Sequence, residues 1–195
     1  MHEPLENSPP QDTSRVMDLL EEVFRNHRQD LFSFCYRRLG SADAANDACG
    51  RIVLKAVNSI DSFTPHPDRP GATMRAWLFR IARNDLIDHR RTLRPVASLD
   101  RLSQDGTLLH NPIDSRRGPE ETALARESEH ELQHLLQQLP DSQRSIVELR
   151  LAGLRGDEIA EALGLSLSAV KSAQYRAYQR LRDLLSPDHS TARKP

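Results

Sequence analysis

Arg80, Arg83, Arg90 and Arg91 recur along W-L-F-R-I-A-R-N-D-L-I-D-H-R-R, the stretch from Trp77 to Arg91 that holds the chain's single tryptophan. If the stretch is helical, the four guanidinium groups fall within an arc of about 100°. Leu78, Ile81, Ala82 and Leu86 take the other side, and Trp77, Asn84 and Asp88 line a shoulder between the two. A solvated helix face usually mixes charge signs. A face of cations alone can follow a phosphate backbone, while the hydrogen-bonding side chains at its edge can hold an unstacked base. Trp77 itself suits a core anchor better than a base platform. Asp85 turns toward the apolar side and needs a partner, for which Arg37 and Arg38 are both available.

A second cluster lies in L-R-G-D-E-I-A-E-A-L-G-L-S-L-S-A-V-K-S-A-Q-Y-R-A, Leu154 to Ala177. Ile159, Ala160 and Leu163 are spaced as the inner face of a short helix. Gly164 permits a turn, Leu165 fills the space between helices, and Val170 anchors a second helix. This is the helix-turn-helix pattern, in which two helices cross closely and need small or apolar residues at those points. Leu167, Val170, Ala173, Ala177 and Leu181 form the expected buried stripe. Ser168, Lys171, Ser172, Tyr175, Arg176 and Gln179 share the opposite face, and Lys171 to Arg182 contains no acid. Donors, acceptors, two cations and a stacking ring are the groups that reach base edges and phosphates.

The elements that must position these groups are all helical. Ser14 can cap a first helix through Leu39, with a break near Asn26–Gln29, and Gly40 stops it. Ser41 starts a second helix through Ile60. Asp61 to Gly71 contains three prolines and must be a loop. The arginine helix follows, from about Ala72 to Arg91. From Leu93 to Gly118 periodicity is lost, which marks a connector longer than compact domains usually tolerate. Pro119, followed by Glu120 and Glu121, opens a helix to about Gln138. Further helices run from Pro140 to Gly153, from about Arg155 to Leu163, and from Ser166 to Leu185. The expected architecture is all-α: two small helical domains, residues 14–92 and 119–186, joined by a flexible linker at 93–118. Residues 1–13 and 187–195 read as disordered tails.

Composition narrows the chemistry further. The chain has 195 residues and a formal net charge of −1, so attraction to nucleic acid rests on the two basic patches rather than on global charge. No G-x-S-x-G, P-loop or H-E-x-x-H is present, and no catalytic residue or cofactor is expected. His130 and His134 stand at metal-capable spacing beside Glu131, but with no clear third ligand they read as a solvated face. Cys35 and Cys49 lie far apart in sequence, so neither a disulfide framework nor a cysteine zinc site is expected, and a reducing cytoplasm fits. The acidic, proline-rich start has no apolar segment of the signal-peptide kind, and no apolar run approaches the ~20 residues needed to span a bilayer.

The Trp77–Arg91 stretch resembles the region 2.3–2.4 signature of sigma-70-family RNA polymerase sigma factors of the extracytoplasmic-function (ECF) type. L-P-D-S-Q-R-S-I-V-E-L-R-L-A-G-L, with the helix-turn-helix after it, resembles region 4 of that family. The order, linker and length agree, so the resemblance covers about Leu19 to Leu185. It implies a dissociable subunit that directs core RNA polymerase to promoter DNA, holding the clamp and flap, with an anti-sigma factor as a further partner and no membrane association. It places the −10 element on Arg80, Arg83, Asn84, Asp88, Arg90 and Arg91. It places the −35 element on Ser168, Lys171, Ser172, Tyr175, Arg176 and Gln179, and polymerase contact on Asp47, Arg51 and Lys55. The clamp-facing helix departs from the family pattern. D-A-C-G-R-I-V, Asp47 to Val53, stands where Asp-Leu-x-Gln-Glu-x-Phe is usual, and Ala173 stands where an arginine is common. A regulator that binds duplex DNA without polymerase, or a degenerate sigma-like protein acting through protein contacts, would share much of this pattern.

Overall fold

The computed structural model describes residues 10–93 and 119–186, and these form seven α-helices with no strand among them. The connector at 94–118 and the tails at 1–9 and 187–195 lie outside the described residues.

Helix α1 (Pro10–Leu39) is continuous. It starts inside the expected N-terminal tail, and the expected break near Asn26–Gln29 is absent. Asn26, Arg28 and Gln29 are exposed polar residues without Gly or Pro among them, and His27 meets Asp30 one turn on at 2.9 Å. Gly40, at φ 72°, ends α1 in the left-handed region that a Cβ disfavours. Ser41 then caps α2 (Ala42–Asn58) by accepting from the Ala44 amide. The buried face of α2 is Ala45, Ala48, Ile52 and Ala56. Three alanines let its backbone approach α1 and α3 closely. After a 3-10 turn (Ile60–Ser62) and the proline loop, Pro70 opens α3 (Pro70–Leu93). Met74, Leu78, Phe79 and Ala82 of α3 are fully buried, with Phe79 edge-on to Phe34 of α1 at 5.6 Å.

The C-terminal half comprises α4 (Pro119–Gln137), α5 (Asp141–Leu151), α6 (Gly156–Leu163) and α7 (Leu167–Leu185). Leu136, Leu139, Val147 and Ala177 make a small core between α4, α5 and α7. The main core does not stop at α3. It continues from α1–α3 through Ile146, Leu149, Leu154, Ile159, Val170 and Ala173. Helix α5 therefore buries two sides at once, Val147 toward its own unit and Ile146 and Leu149 toward the N-terminal helices. The expected pair of separate domains is, in this structure, a docked pair.

Candidate nucleic-acid interface

The turn between α6 and α7 forms as its residues dictate. Gly164 takes φ 64° and ends α6, and the Leu165 amide donates to the Ala160 carbonyl at 2.9 Å. Ser166 caps α7 by accepting from the Ala169 amide at 3.2 Å. Val170, Ala173 and Ala177 are buried as expected. Leu167 and Leu165 are not: they remain 43% and 44% exposed. Val170 packs there with Ile159, Ala160 and Ala173, and Leu167 lies instead on a cleft of about 610 Å³ shared with Pro65, Arg69 and Asp157.

On the outer side of α7, Ser168, Lys171, Ser172, Tyr175 and Arg176 are exposed and Gln179 is half-buried. Ser168 Oγ lies 3.0 Å from Ser166 Oγ, close to the cap. No acid among the described residues pairs with Lys171 or Arg176. Both cations therefore face water with their donors free for a ligand. Below them Arg150 of α5 holds Gln174 Oε1 at 3.2 Å, and Gln174 donates to Tyr178 at 3.0 Å, which fixes the helix shoulder.

The arginine face of α3 is less uniform than its spacing implies. Arg80 and Asn84 are exposed. Arg91 reaches Asp88 at 3.7 Å, and Arg90 reaches Asp141 of α5 at 3.7 Å, both as solvated pairs. Arg83 is half-buried, with Nε 3.4 Å from Ser145 Oγ of α5. Burial first, then the neighbouring Arg38 cation, pushes the Arg83 guanidinium below its usual range, against the pull of Asp141. Trp77 is 6% exposed and packs on Phe63 at 5.1 Å, so it anchors the core beneath this face.

Asp85 is answered from α2, not from Arg37 or Arg38. Lys55 Nζ lies 2.6 Å from Oδ1 and Arg51 Nη2 lies 3.0 Å from Oδ2. Burial alone would raise this carboxyl, and the hydrogen bonds from Lys55 and Arg51 outweigh it and hold it below the usual carboxylate range. Of the three residues expected to touch a polymerase, Asp47 and Lys55 are exposed and Arg51 is half-buried. Arg51 and Lys55 are tied to the core by one oxygen each. The outward face of α2 is completed by Leu54, 64% exposed, and Val57.

Composition and spacing missed the contact between the two halves. Glu148 of α5 is wholly buried. Arg38 of α1 donates from Nε at 2.6 Å and from Nη2 at 2.5 Å to one of its oxygens, and Arg144 donates to the other at 2.6 Å. Arg75 of α3 donates to the Ala152 carbonyl at 2.7 Å and lies 3.7 Å from buried Glu158. Gly153, at φ 80°, makes room for it: a Cβ there would stand 2.8 Å from the Arg75 guanidinium. Arg69 meets Asp157 at 2.6 Å. The usable signal was one acid inside the apolar run I-V-E-L, matched by Arg37-Arg38 at the end of α1.

His130, Glu131 and His134 are exposed, and no group of metal-holding side chains occurs among the described residues. No described helix is long and apolar enough to cross a membrane.

Comparison with known proteins places both faces in one family. The Sigma-70 region 2 model matches residues 23–95, and the Sigma-70, region 4 model matches residues 129–181. The ECF RNA polymerase sigma factor SigD of Mycobacterium tuberculosis (strain ATCC 25618 / H37Rv) is 32% identical over 169 residues, 84% of this chain and 76% of that protein. The chain belongs to the sigma-70 family. It is an RNA polymerase sigma factor of the ECF type. The ECF RNA polymerase sigma factor BldN of Streptomyces coelicolor (strain ATCC BAA-471 / A3(2) / M145) is 29% identical over 91% of this chain and 68% of that one. Among solved structures, CnrH in complex with the cytosolic domain of CnrY superposes with a TM-score of 0.62 at 26% identity, covering 90% of this chain and 92% of that one. In this sigma factor the α3 arginine face falls within region 2 and the exposed face of α7 within region 4.

Proposed function

We propose that this sigma factor reads the −35 element with α7 and opens and reads the −10 element with α3. Lys171, Ser172, Tyr175 and Arg176 would enter the major groove, with Ser168 and Gln179 at the ends of the contact. Arg80, Arg83, Arg90 and Arg91 would follow the strand, with Asn84 and Asp88 beside the extruded base. The observation that carries the reading is the outer face of α7, where no acid among the described residues pairs with Lys171 or Arg176. Core polymerase would sit on the α2 face of Asp47, Leu54 and Val57, with Arg51 and Lys55 positioned by Asp85. The protein would act in the cytoplasm as a binding factor with no catalysis of its own, from a region 2-like domain at 14–92 and a region 4-like domain at 119–186.

The docked arrangement fits a resting form. Elements named −35 and −10 stand roughly 25 base pairs apart, about 85 Å of B-DNA at 3.4 Å per pair. A protein with α5 and α6 packed on α3 does not span that distance, and Arg83 is already engaged with Ser145. The likeness to a sigma factor solved with the cytosolic domain of CnrY supports an anti-sigma partner for the docked form.

The test is transcription in vitro with purified core polymerase on promoter fragments. Promoter-specific initiation that depends on the added chain is the expected result. A chain that shifts duplex DNA alone and never yields specific initiation would instead be a polymerase-independent regulator. One that binds polymerase without directing it would be a degenerate sigma-like protein.

A further inference from the structure

Two cysteines that are distant in sequence meet where α1 packs on α2. Cys35 and Cys49 are both free thiols, with Sγ atoms 3.9 Å apart across a separation of 14 residues. Cys35 has no exposed surface, while Cys49 is half-buried and open to solvent on one side. The pair borders the ion-paired cluster of α2 and α3, since Arg51 and Asp85 both act electrostatically on Cys35, and Arg28 of α1 acts on Cys49.

We propose that Cys49 and Cys35 form a peroxide-responsive dithiol that closes to a disulfide tying α2 to α1. Burial sets the order of events. A hydroperoxide can reach Cys49 and cannot reach Cys35. The thiol–thiol hydrogen bond with Cys35, helped by the Arg28 cation, favours the Cys49 thiolate and holds that thiol below its usual range. The same bond, together with burial, pushes Cys35 up. Thiolate is the form that attacks peroxide, and the pair thus divides into an attacking and a resolving sulfur.

The steps balance with the peroxide as sole oxidant. Cys49 Sγ attacks one peroxide oxygen; an S–O bond forms, the O–O bond breaks, and the departing oxygen leaves as hydroxide or alkoxide and takes a proton. Cys49 is now a sulfenic acid, oxidised by two electrons, and the peroxide is reduced by two. Cys35 Sγ then attacks Cys49 Sγ; an S–S bond forms, the S–O bond breaks, and hydroxide leaves with the Cys35 proton as water. The sulfurs need to close from 3.9 Å to about 2.05 Å. Gly50, exposed and with nothing within 4 Å of where a Cβ would stand, leaves the neighbouring turn of α2 free to adjust. This chemistry is independent of the function proposed above. Only its consequence, an oxidant-sensitive setting of the α2 face offered to polymerase, rests on that reading.

The experiment is treatment of the full reduced chain with hydrogen peroxide at low molar excess, followed by intact mass and non-reducing peptide mapping. The expected product is monomeric, about 2 Da lighter, with Cys35 and Cys49 in one linked peptide pair, and it returns to the starting mass with thiol reductant. Cys35→Ser and Cys35→Ala should stop at a Cys49 sulfenic acid that dimedone traps. Cys49→Ser should leave Cys35 reduced. A wild-type chain that gains about 32 Da at Cys49 as sulfinate, joins two chains through Cys49, or does not react would overturn the proposal. So would oxidation of Cys35 in the Cys49→Ser chain.

Discussion

Single side chains here divide into those left free for a ligand and those already committed, and the difference was only half visible in sequence. Arg176 and Arg83 are both arginines on a cationic helix face. Arg176 has no partner among the described residues, whereas Arg83 is half-buried against Ser145. Burial of that kind depends on a helix that arrives 62 residues later in the chain, so helical spacing alone could not show it. The identity of Asp85's partners was hidden for the same reason, since they come from α2 rather than from α1. Trp77 was legible as a core anchor because so large an aromatic, beside the apolar side of Leu78, Ile81, Ala82 and Leu86, has most to gain from burial. The free state of Arg176 supports a direct prediction. Arg176→Ala should cost about 1–3 kcal/mol of discrimination if the guanidinium meets a base edge. Initiation on a promoter with an intact −35 element should fall by a corresponding factor, and initiation on one with that element scrambled should barely change. If the contact is to phosphate instead, both promoters weaken alike and the salt slope of binding drops by about one. Equal activity of variant and wild type on the intact promoter would remove Arg176 from the recognition face.

Among the elements, α2 shows how a helix can serve a function while being poorly made as a helix. The spacing of Ile52, Val53, Ala56 and Ile60 gave its position, Ser41 and Gly40 marked its start as expected, and the helix ends at Asn58, with Ile60 opening a separate 3-10 turn. What periodicity could not give was which polar residues it keeps. Gly50 is exposed and a Cβ there would meet nothing within 4 Å, so Gly50→Ala should stabilise α2 by about 1 kcal/mol. In a chain of this size that is about 2–4 °C in melting temperature, readable by calorimetry. A lowered melting temperature would mean that the glycine serves a conformation outside the helical one. The Asp85 cluster makes the opposite prediction. Its carboxyl titrates below the ordinary carboxylate range in the folded protein. A depressed carboxyl stabilises above its unfolded value and loses that contribution as pH falls through the folded one. Asp85→Asn should therefore destabilise the protein at neutral pH. Because Arg51 and Lys55 are 39% and 52% exposed and screened by water, the loss is set at about 1–2 kcal/mol. Denaturant melts at pH 7 and at pH 3 should show the gap between variant and wild type closing at the acid end. A gap that widened on acidification would show that the carboxyl is not held ionised by these two cations.

For the molecule as a whole, the sequence pointed to two helical units on a tether, and the structure brings them into one core. The helix-turn-helix and the arginine helix were readable because each is local. The docking was not, because its hydrogen bonds join residues 62 to 110 positions apart and use charged side chains that read as solvent-facing. Arg38, Arg69 and Arg75 each look like surface residues until Glu148, Asp157 and Glu158 are placed opposite them. A buried carboxylate such as Glu148 is costly to strand, so removing a cation that serves it favours whichever arrangement returns it to water. Arg144 lies on the same helix and stays with Glu148 when the halves separate, so the contact specific to docking is Arg38. Arg69 supplies the second bridge at the far edge, to Asp157. The double variant Arg38→Ala, Arg69→Ala should thus open the molecule while leaving both helical units folded. Small-angle scattering should show a larger radius of gyration than wild type at the same salt, with unchanged helical content by circular dichroism. If the docked form is a resting state, the open variant should also initiate from its promoter at lower concentrations of added protein. A variant as compact as wild type would show that the shared apolar core through Ile146, Leu149 and Ile159, with Arg75 still on the Ala152 carbonyl, holds the halves together without Arg38 and Arg69. A variant that opens yet gains nothing in initiation would separate the docking from any restraint on promoter use.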